Sequence, residues 1–472
     1  MNKKIILTRE LIEKYDKPGS FYTDYPPSGL WLNCFGDKEY RKALTELTKK
    51  ENHPLSVYIH YPFCQKQCLY CQCHTIISRD REKTGKFISD ICKEISTLKK
   101  FFDNNDYSPN IREIHLGGGS PSFMDEKEFE TLYMELNSLV NIKSLDEFAI
   151  EIDPRTFDKS RMDYYHEKGI SRISLGVQDF DPKVQKAINR IQPREMIEEL
   201  LIPSIRNNFK NGVSFDLIYG MPFSTIESTL KTLEIVKELS PDRIAFCILG
   251  YRPDLYKHQK AMGNSKIPSN YEQTIMNLEG TIYLTDNGYE QIGIDHFAKP
   301  GDSLVTAKRN KTIHRNAMGY TPGRCKDFFG FGLSSMGRIL NYYFQNVYTI
   351  PEYSSAIAQA KFPIFRGYNL NKDEEIRREI MHSLINYSCV SFAEFEKKHN
   401  IDFKYYFKEE INSLQGFIDD NLVEISKESL NVTLTGRFFY RHICEVFDIL
   451  LKGGKHYKHS REDLITRKLI KN

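Results

Sequence analysis

The feature that most constrains this sequence is a repeated alternation of short apolar segments with helix-like segments. Segments rich in β-branched and aromatic residues, most of which end near glycine or proline, predict strands. These segments are 56–60, 113–116, 148–152, 172–175, 214–219 and 243–249. Apolar residues at helical spacing predict helices between them, such as the one that contains Phe87 and Ile91 and the one over 229–239. Strand and helix repeated in this order favour parallel strands and right-handed crossovers. We therefore predict an α/β fold with a (β/α)6 partial TIM-like barrel; a full eight-unit barrel also fits the pattern.

The pattern changes after about residue 370. Helix-like segments cover 375–385, 392–398 and 408–414, two strand-like segments cover 422–425 and 429–434, and a last helix is predicted over 438–451. This order predicts a small helical, winged-helix-like domain. The predicted parts of the chain are an N-terminal segment (1–52), the barrel (53–300), a barrel extension (301–369), the C-terminal domain (370–451) and a basic tail (452–472). A tail of this kind is usually a solvated or frayed end.

The composition excludes several classes of protein. Hydrophobic residues make up 40% and charged residues 27% of the 472 positions, as in a globular protein with a large core. A net charge of only +3 gives no sign of a nucleic-acid or membrane-surface binder. No segment approaches the roughly 18 apolar residues of a membrane helix. The apolar stretch Ile5–Leu7 is too short for a signal peptide, so we expect a cytoplasmic protein.

Four of the ten cysteines lie within ten residues, just after the first predicted strand. Cys64, Cys68 and Cys71 have the spacing C-x3-C-x2-C, and Cys73 follows. Three thiolates can hold a [4Fe–4S] cluster and leave one iron open to chelate a substrate. A structural zinc site is the alternative, but such sites usually combine two C-x2-C pairs, and no second pair follows here. The sequence therefore predicts a [4Fe–4S] cluster on Cys64, Cys68 and Cys71.

This spacing resembles that of the radical S-adenosylmethionine (SAM) superfamily. The resemblance implies that the methionine amine and carboxylate of SAM chelate the open iron, and that reductive cleavage yields a 5′-deoxyadenosyl radical. The protein would supply binding, orientation and the exclusion of side reactions. A glycine stretch, Leu116–Pro121, follows the second predicted strand, where the missing Cβ atoms allow close approach to a ligand. In the superfamily such a stretch contacts the methionine amino group.

Polar residues lie at the ends of the next predicted strands. Glu151 ends the third strand and could bind ribose hydroxyls, or it could only begin a helix. Gln178 ends the fourth strand, and Arg190 lies just beyond it. Asp216 lies inside the fifth strand, where a buried carboxylate needs a partner, either a ligand or a backbone amide. Chemistry in barrels of this kind gathers at the carboxyl ends of the strands, which is where these residues lie.

Longer motifs resemble one family in this superfamily, the oxygen-independent coproporphyrinogen III oxidases. They lie at 22–26, 115–122, 176–190, 216–222, 241–243, 293–298, 314–316 and 435–437, and so cover nearly the whole chain. The resemblance implies oxidative decarboxylation of two propionate side chains of coproporphyrinogen III to vinyl groups, which gives protoporphyrinogen IX in heme biosynthesis. It also implies that residues 1–52 cover the substrate and that the enzyme is a monomer. We expect an electron donor such as flavodoxin or ferredoxin.

The resemblance further implies two SAM molecules in each active site. The residues implied for the first SAM are Tyr58, Gly118, Glu151 and Met336. Those implied for the second are Tyr70, Gly119, Ser120, Gln178, Arg190, Asp216 and Gly250. Cys73 is expected either to act in catalysis or cofactor contact, or to pack beside the cluster.

Several positions depart from the motifs usual in this family. Phe21 replaces an arginine, and Ala317-Met318 replace an aromatic residue and a glutamine; Gly250 and Met336 also differ. These changes leave two alternatives open. One is a radical SAM methyltransferase that opens heme anaerobically. The other is a heme-binding chaperone relative, against which the motifs at 22–26 and 314–316 argue.

Overall fold

The computed structural model describes residues 5–17, 22, 24–202, 206–263, 266–316 and 318–452. Its strands are β1 (Pro54–Tyr61), β2 (Phe63–Cys64), β3 (Ile76–Ile77), β4 (Asn110–Gly118), β5 (Glu147–Ile152), β6 (Arg172–Gln178), β7 (Val213–Tyr219), β8 (Arg243–Ile248), β9 (Glu290–Ile292), β10 (His296–Ala298), β11 (His314–Asn316), β12 (Gly319–Thr321), β13 (Asp327–Gly332), β14 (Met336–Ile339), β15 (Tyr342–Asn346), β16 (Ile364–Asn369), β17 (Cys389–Ser391), β18 (Val423–Ile425) and β19 (Ser429–Val432).

The helices in the described residues are α1 (Arg9–Lys14), α2 (Asp37–Leu47), α3 (Arg81–Asp103), α4 (Glu126–Leu139), α5 (Lys159–Glu167), α6 (Pro182–Ala187), α7 (Arg194–Glu199), α8 (Ile226–Leu239), α9 (Asn270–Asp286), α10 (Ser303–Arg309), α11 (Ile350–Ala358), α12 (Lys372–Tyr387), α13 (Phe392–His399), α14 (Phe403–Tyr406), α15 (Lys408–Ser413), α16 (Gln415–Asp419), α17 (Tyr440–Glu445) and α18 (Ile449–Lys452).

The six predicted strands form a continuous parallel sheet. β1, β4, β5, β6, β7 and β8 pair in this order, and helices lie in the crossovers between them. Their apolar runs are buried on both faces, as is usual in parallel sheets covered by helices. The predicted (β/α)6 partial barrel is thereby confirmed. The carboxyl ends of all six strands meet at one edge of this sheet, which is where the predicted site residues lie.

Antiparallel strands extend this sheet on both sides. β13 pairs parallel with β1, and β14, β15 and β16 follow it antiparallel. On the other side β8 pairs with antiparallel β10, and β10 pairs with β9. Since β8 is followed by an antiparallel strand, the eight-unit alternative is wrong. The four strands β13–β16 place part of the predicted barrel extension beside the strand that leads to the cysteines.

The crossover helix α3 shows how local sequence produces these elements. Asp80 accepts a hydrogen bond from the Lys83 amide, which caps the first turn. Phe87 and Ile91, with other residues on the same face, are buried against the sheet. Each fully buried side chain of this size contributes roughly 1.5–3 kcal/mol relative to an exposed one. The helix therefore fixes the loop between β1 and β4, which carries the cysteines.

The C-terminal part contains the predicted helices and a small antiparallel sheet in the order β17–β19–β18. The single helix predicted over 438–451 is wrong, because the structure divides this segment into a 3-10 turn (Gly436–Phe439) and the helices α17 and α18. The buried carboxylate of Asp448 accepts hydrogen bonds from the amides of Leu450 and Leu451. A side chain that caps backbone amides in this way begins a new helix and interrupts the previous one.

Some predictions lie outside the described residues: those on Phe21, on Ala317 and on the tail after residue 452. The predicted boundaries between the parts of the chain stay predictions. Across the described residues, every helix is too short or too polar to cross a lipid bilayer.

Candidate active site

The cysteines lie on a loop that is closed at its base by backbone hydrogen bonds. Cys64 ends β2, which pairs parallel with β3 and so joins the two ends of the loop. The Cys71 amide donates a hydrogen bond to the Cys68 carbonyl, 3.2 Å away, which gives the loop a tight turn. Cys64, Cys68, Cys71 and Cys73 all line one cavity of about 340 Å³. The structure therefore brings the four cysteines to the carboxyl end of β1.

Two arginines contact the most buried of these sulfurs. Arg155 Nη2 lies 3.2 Å and Arg190 Nη1 3.4 Å from Cys68 Sγ. Arg155 is held by a bidentate pair with Asp153, with distances of 2.7 and 2.9 Å. Burial alone would raise the pKa of Asp153, but Arg155 and Arg190 outweigh it and lower that pKa. Positive charge and N–H donors beside a sulfur suit the thiolate of a bound iron–sulfur cluster.

The sulfurs also influence one another. Burial, together with the neighbouring Cys71 and Cys68, raises the pKa of the Cys64 thiol. The thiols of Cys71 and Cys73 are hydrogen-bonded, which lowers the pKa of Cys71 and raises that of Cys73. Three cysteine sulfurs gathered in one cavity, with arginine cations beside them, suit a cationic iron–sulfur centre. Within the described residues, no three His, Cys, Asp or Glu side chains converge closely enough to hold a single metal ion.

The glycine stretch at the end of β4 packs against the segment that leads to the cysteines. Gly118 has a φ of +110°, and a Cβ atom there would lie 2.9 Å from the His60 ring. A Cβ atom on Gly119 would lie 2.6 Å from the carbonyl oxygen of Pro62. Only glycine fits at these two positions, because any side chain would displace the backbone beside the cysteine loop.

One set of predicted residues lines a cavity of about 450 Å³, which we call the Tyr58 cavity. It includes Tyr58, Gly118, Glu151, Met336 and Cys73. Glu151 accepts hydrogen bonds from His115 Nε2 at 3.0 Å and from the Gly118 amide at 3.3 Å. Burial would raise the pKa of Glu151, but these partners and the nearby His60 outweigh it and lower that pKa. The side chain is therefore a fixed carboxylate that can accept hydrogen bonds from a ligand.

The second set lines the 340 Å³ cavity that also holds the cysteines, which we call the Arg190 cavity. It includes Tyr70, Gly119, Ser120, Gln178, Arg190 and Asp216. Gln178 has a φ of +69° at a register shift between β6 and β7. Its buried Oε1 atom has no hydrogen-bond partner among the described residues. A buried acceptor of this kind is costly unless a ligand satisfies it, so Gln178 fits a role in cofactor binding.

Asp216 and Gly250 differ in how they relate to this cavity. Asp216 accepts a hydrogen bond from Ser174 Oγ at 3.1 Å, and burial and then Glu151 raise its pKa to about 6. Gly250 follows β8, and its carbonyl accepts hydrogen bonds from Gln72 and Gln259 at 2.6 and 2.9 Å. Gly250 is absent from the lining of both cavities, so the prediction that it touches a cofactor stays a prediction.

Sequence reasoning missed several residues of the site. Arg155 contacts the Cys68 sulfur and Asp153 holds Arg155, yet the sequence predicted a role for neither, although they lie two and four positions after Glu151. His115 is the first residue of the motif 115–122, and its contact with Glu151 depends on the pairing of β4 with β5. The position of Asp153 just after the predicted third strand was a signal for that residue, whereas only the fold shows the roles of Arg155 and His115.

Comparison with known proteins agrees with this geometry. The sequence profile described as the radical SAM superfamily matches residues 58–236, and the HemN C-terminal domain matches residues 370–439. An oxygen-independent coproporphyrinogen III oxidase of Pseudomonas aeruginosa is 34% identical over 455 residues, which cover 96% of this chain and 98% of that protein. The enzyme of the same name from Escherichia coli is 33% identical and covers 94% of this chain and 95% of that protein.

A solved structure is similar over the same length. Coproporphyrinogen III oxidase (HemN) from Escherichia coli, described as a radical SAM enzyme, matches with a TM-score of 0.85 and 31% identity. The match covers 94% of this chain and 99% of that structure, so it includes both the barrel and the C-terminal part. The chain belongs to the oxygen-independent coproporphyrinogen III oxidase family of the radical SAM superfamily.

Proposed function

We propose that this chain catalyses the oxygen-independent oxidative decarboxylation of coproporphyrinogen III to protoporphyrinogen IX in heme biosynthesis. The observation that carries this conclusion is the similarity to oxidases of this name over at least 94% of the chain. The structure supports it because three cysteines at radical SAM spacing line one cavity with Arg190 and Asp216. The full-length similarity favours this activity over a heme-opening methyltransferase or a heme-binding chaperone.

Each of the two conversions removes a hydrogen atom, a carbon dioxide molecule and one electron from a propionate, which leaves a vinyl group, and the electron passes to an external one-electron acceptor. When bound, the [4Fe–4S] cluster and SAM supply the radical that abstracts the hydrogen atom. We assign Cys64, Cys68 and Cys71 as the cluster ligands. Arg155 and Arg190 hold positive charge against Cys68, and the glycine stretch lets a cofactor approach the backbone beside the cysteines.

We further propose two SAM sites in each chain. The four residues expected at the first SAM line the Tyr58 cavity, and six of the seven expected at the second line the Arg190 cavity. The two cavities share Cys73, Gly118 and Glu151, so two ligands bound there would be neighbours. Cys73, which contacts Cys71 and lines both cavities, then contacts a cofactor in addition to packing beside the cluster.

An anaerobic assay tests the proposed activity. The cluster-reconstituted chain is mixed with coproporphyrinogen III, SAM and a reductant, and the expected products are protoporphyrinogen IX and carbon dioxide. The variant Cys68→Ser should be inactive, whereas Cys34→Ser, at an exposed cysteine, should retain activity. A methylated, opened tetrapyrrole formed from heme, or tight heme binding without turnover, would contradict the proposal.

Equilibrium binding of SAM to the cluster-loaded chain tests the number of sites. Two SAM molecules per chain are expected, and saturation at one would refute the two-site arrangement. A cytoplasmic location, a monomeric enzyme and electron donation by flavodoxin or ferredoxin belong to the same proposal. Light scattering and stopped-flow reduction of the cluster by each donor would test the last two.

A further inference from the structure

Arg366 lies in a position that the cofactor assignments do not explain. It stands on β16 directly opposite Gln345 on β15. Its Nε atom donates to Gln345 Oε1 at 2.8 Å, and its Nη2 atom donates to Tyr348 Oη at 3.2 Å. The amide of Gln345 in turn donates to the Ser334 carbonyl at 3.0 Å. The guanidinium group is therefore held in one orientation by neutral partners.

The guanidinium of Arg366 is buried without an opposite charge. Only 5% of the residue is exposed, and no carboxylate among the described residues lies within ion-pair distance of it. Its Nη1 atom has no hydrogen-bond acceptor among those residues. A buried guanidinium that lacks an anion is costly, so a position of this kind is expected to bind one.

Arg366 lines the Tyr58 cavity, so an anion bound to it would share the space beside the cofactor residues. Glu151 is the carboxylate in this lining, and it already accepts hydrogen bonds from His115 and Gly118. The other titratable groups of the lining are His60, His74, Cys73 and the three tyrosines Tyr58, Tyr256 and Tyr348. Arg366 is thus the permanent positive charge of this cavity.

We propose that Arg366 binds a propionate carboxylate of the tetrapyrrole substrate through the free edge of its guanidinium fork. The proposal rests on the proposed function, which brings a tetrapyrrole with propionate side chains into this cavity. Arginine suits this task, since its planar fork can donate two parallel hydrogen bonds to one carboxylate. Ser28, from the N-terminal segment that is predicted to cover the substrate, lines the same cavity.

The methionine carboxylate of SAM is the other carboxylate that could reach the site. β16 is separated from β1, the strand that leads to the cysteines, by β15, β14 and β13. Four inter-strand spacings correspond to about 19 Å along the sheet. A methionine carboxylate held at the cluster would lie beside the cysteines that follow β1, four strands from β16 along the sheet, whereas a tetrapyrrole carries propionates on several sides of a wide ring. The geometry therefore favours the substrate.

Binding measurements on the cluster-reconstituted full chain test this assignment. Coproporphyrin III, the stable oxidised macrocycle, is used as the probe and is followed by fluorescence quenching. Arg366→Gln should raise its Kd roughly 10- to 100-fold, the loss expected for hydrogen bonds to a charged group. The tetramethyl ester of the same porphyrin should bind equally to wild type and variant, and SAM affinity should stay unchanged.

Arg378→Gln is the matched control, because Arg378 also donates to a tyrosine hydroxyl, on Tyr343, but is absent from the lining of the Tyr58 cavity. The assignment would be wrong if Arg366→Gln bound coproporphyrin III as tightly as the wild type, or if the variant lost affinity for SAM and not for the porphyrin. If Arg366→Gln does not fold, Arg366→Lys decides, since it keeps the charge, loses the fork and should bind the acid with intermediate affinity. Wild-type turnover is measured separately: its absence refutes the proposed function, whereas normal turnover with equal affinities refutes only the role of Arg366.

Discussion

Arg155 and Cys68 are in direct contact, with the Nη2 atom of Arg155 3.2 Å from the Cys68 sulfur. The contact depends on Asp153, which holds Nε and the same Nη2 atom of the guanidinium in a bidentate pair. A hydrogen bond and a positive charge at a cluster ligand stabilise the more negative, reduced state of an iron–sulfur centre. The pair therefore influences how easily the predicted cluster accepts the electron that the reaction requires.

Arg155→Gln should lower the reduction potential of the cluster. The expected change is roughly 60 mV or more, which corresponds to a tenfold change in equilibrium for a one-electron couple. A redox titration followed by electron paramagnetic resonance measures it. Arg112→Gln is the control, because Arg112 pairs with Asp146 near the start of β4 and is absent from the lining of the Arg190 cavity. An unchanged potential in Arg155→Gln would show that the contact does not influence the cluster.

Serine substitutions should separate the three proposed ligands from Cys73. Cys64→Ser, Cys68→Ser and Cys71→Ser should each abolish the visible absorbance of the [4Fe–4S] cluster, because each variant leaves only two of the three thiolates that hold the cluster. Cys73→Ser should retain iron and sulfide but lose turnover. Iron analysis and absorbance after anaerobic reconstitution measure the first result. If Cys73→Ser lost the cluster and one of the other three kept it, the assignment of ligands would be wrong.

Gly118→Ala should destabilise the glycine stretch and weaken SAM binding. A non-glycine residue with positive φ costs about 1–3 kcal/mol, and the added Cβ atom would also meet the His60 ring at 2.9 Å. Gly85→Ala is the control: no atom outside α3 lies within 4 Å of its added Cβ, and alanine in a helix adds up to about 1 kcal/mol. Urea unfolding and SAM titration distinguish the two variants. Equal stability of both would contradict the strain argument.

Asp216→Asn should make the protein more stable at neutral pH but not in acid. Burial and then Glu151 raise the pKa of Asp216 from 3.8 to about 6. The contribution of this group to stability is therefore present below about pH 4 and is lost as the pH rises through about 6. Removing the charge should thus gain on the order of 1–3 kcal/mol at pH 8, and less at pH 5.

Urea unfolding of the full chain between pH 5 and pH 8 measures this difference. Ser174→Ala provides an internal check, because Ser174 donates to the charged form of Asp216, and its loss should raise the pKa of Asp216 further. The pH dependence of stability should then become steeper than in wild type. A gain in Asp216→Asn that is the same at every pH would contradict the assigned pKa.

Local patterns were sufficient for the barrel but not for every element. The predicted strands at 148–152 and 214–219 lie within β5 and β7, because runs of buried apolar residues do not depend on their neighbours along the sheet. The predicted helix over 438–451 failed because Asp448 caps the amides of a new helix. Asp448 also accepts a hydrogen bond from Tyr22, more than 400 positions earlier in the chain, which no local pattern indicates.

The sequence by itself determined the chemistry that depends on short local motifs. The C-x3-C-x2-C motif, the glycines 117–119 and the carboxylates at strand ends are local features, and they predicted a cluster, a cofactor and the edge of the barrel that holds them. Only the tertiary structure decided the contact of Arg155 with Cys68, the division of the residues expected to bind SAM between two cavities, and the place of Arg366 in one of them. These relations join residues as far apart as Tyr58 and Arg366, which are more than 300 positions apart. Their contacts depend on positions in space that are set only when the strands pair.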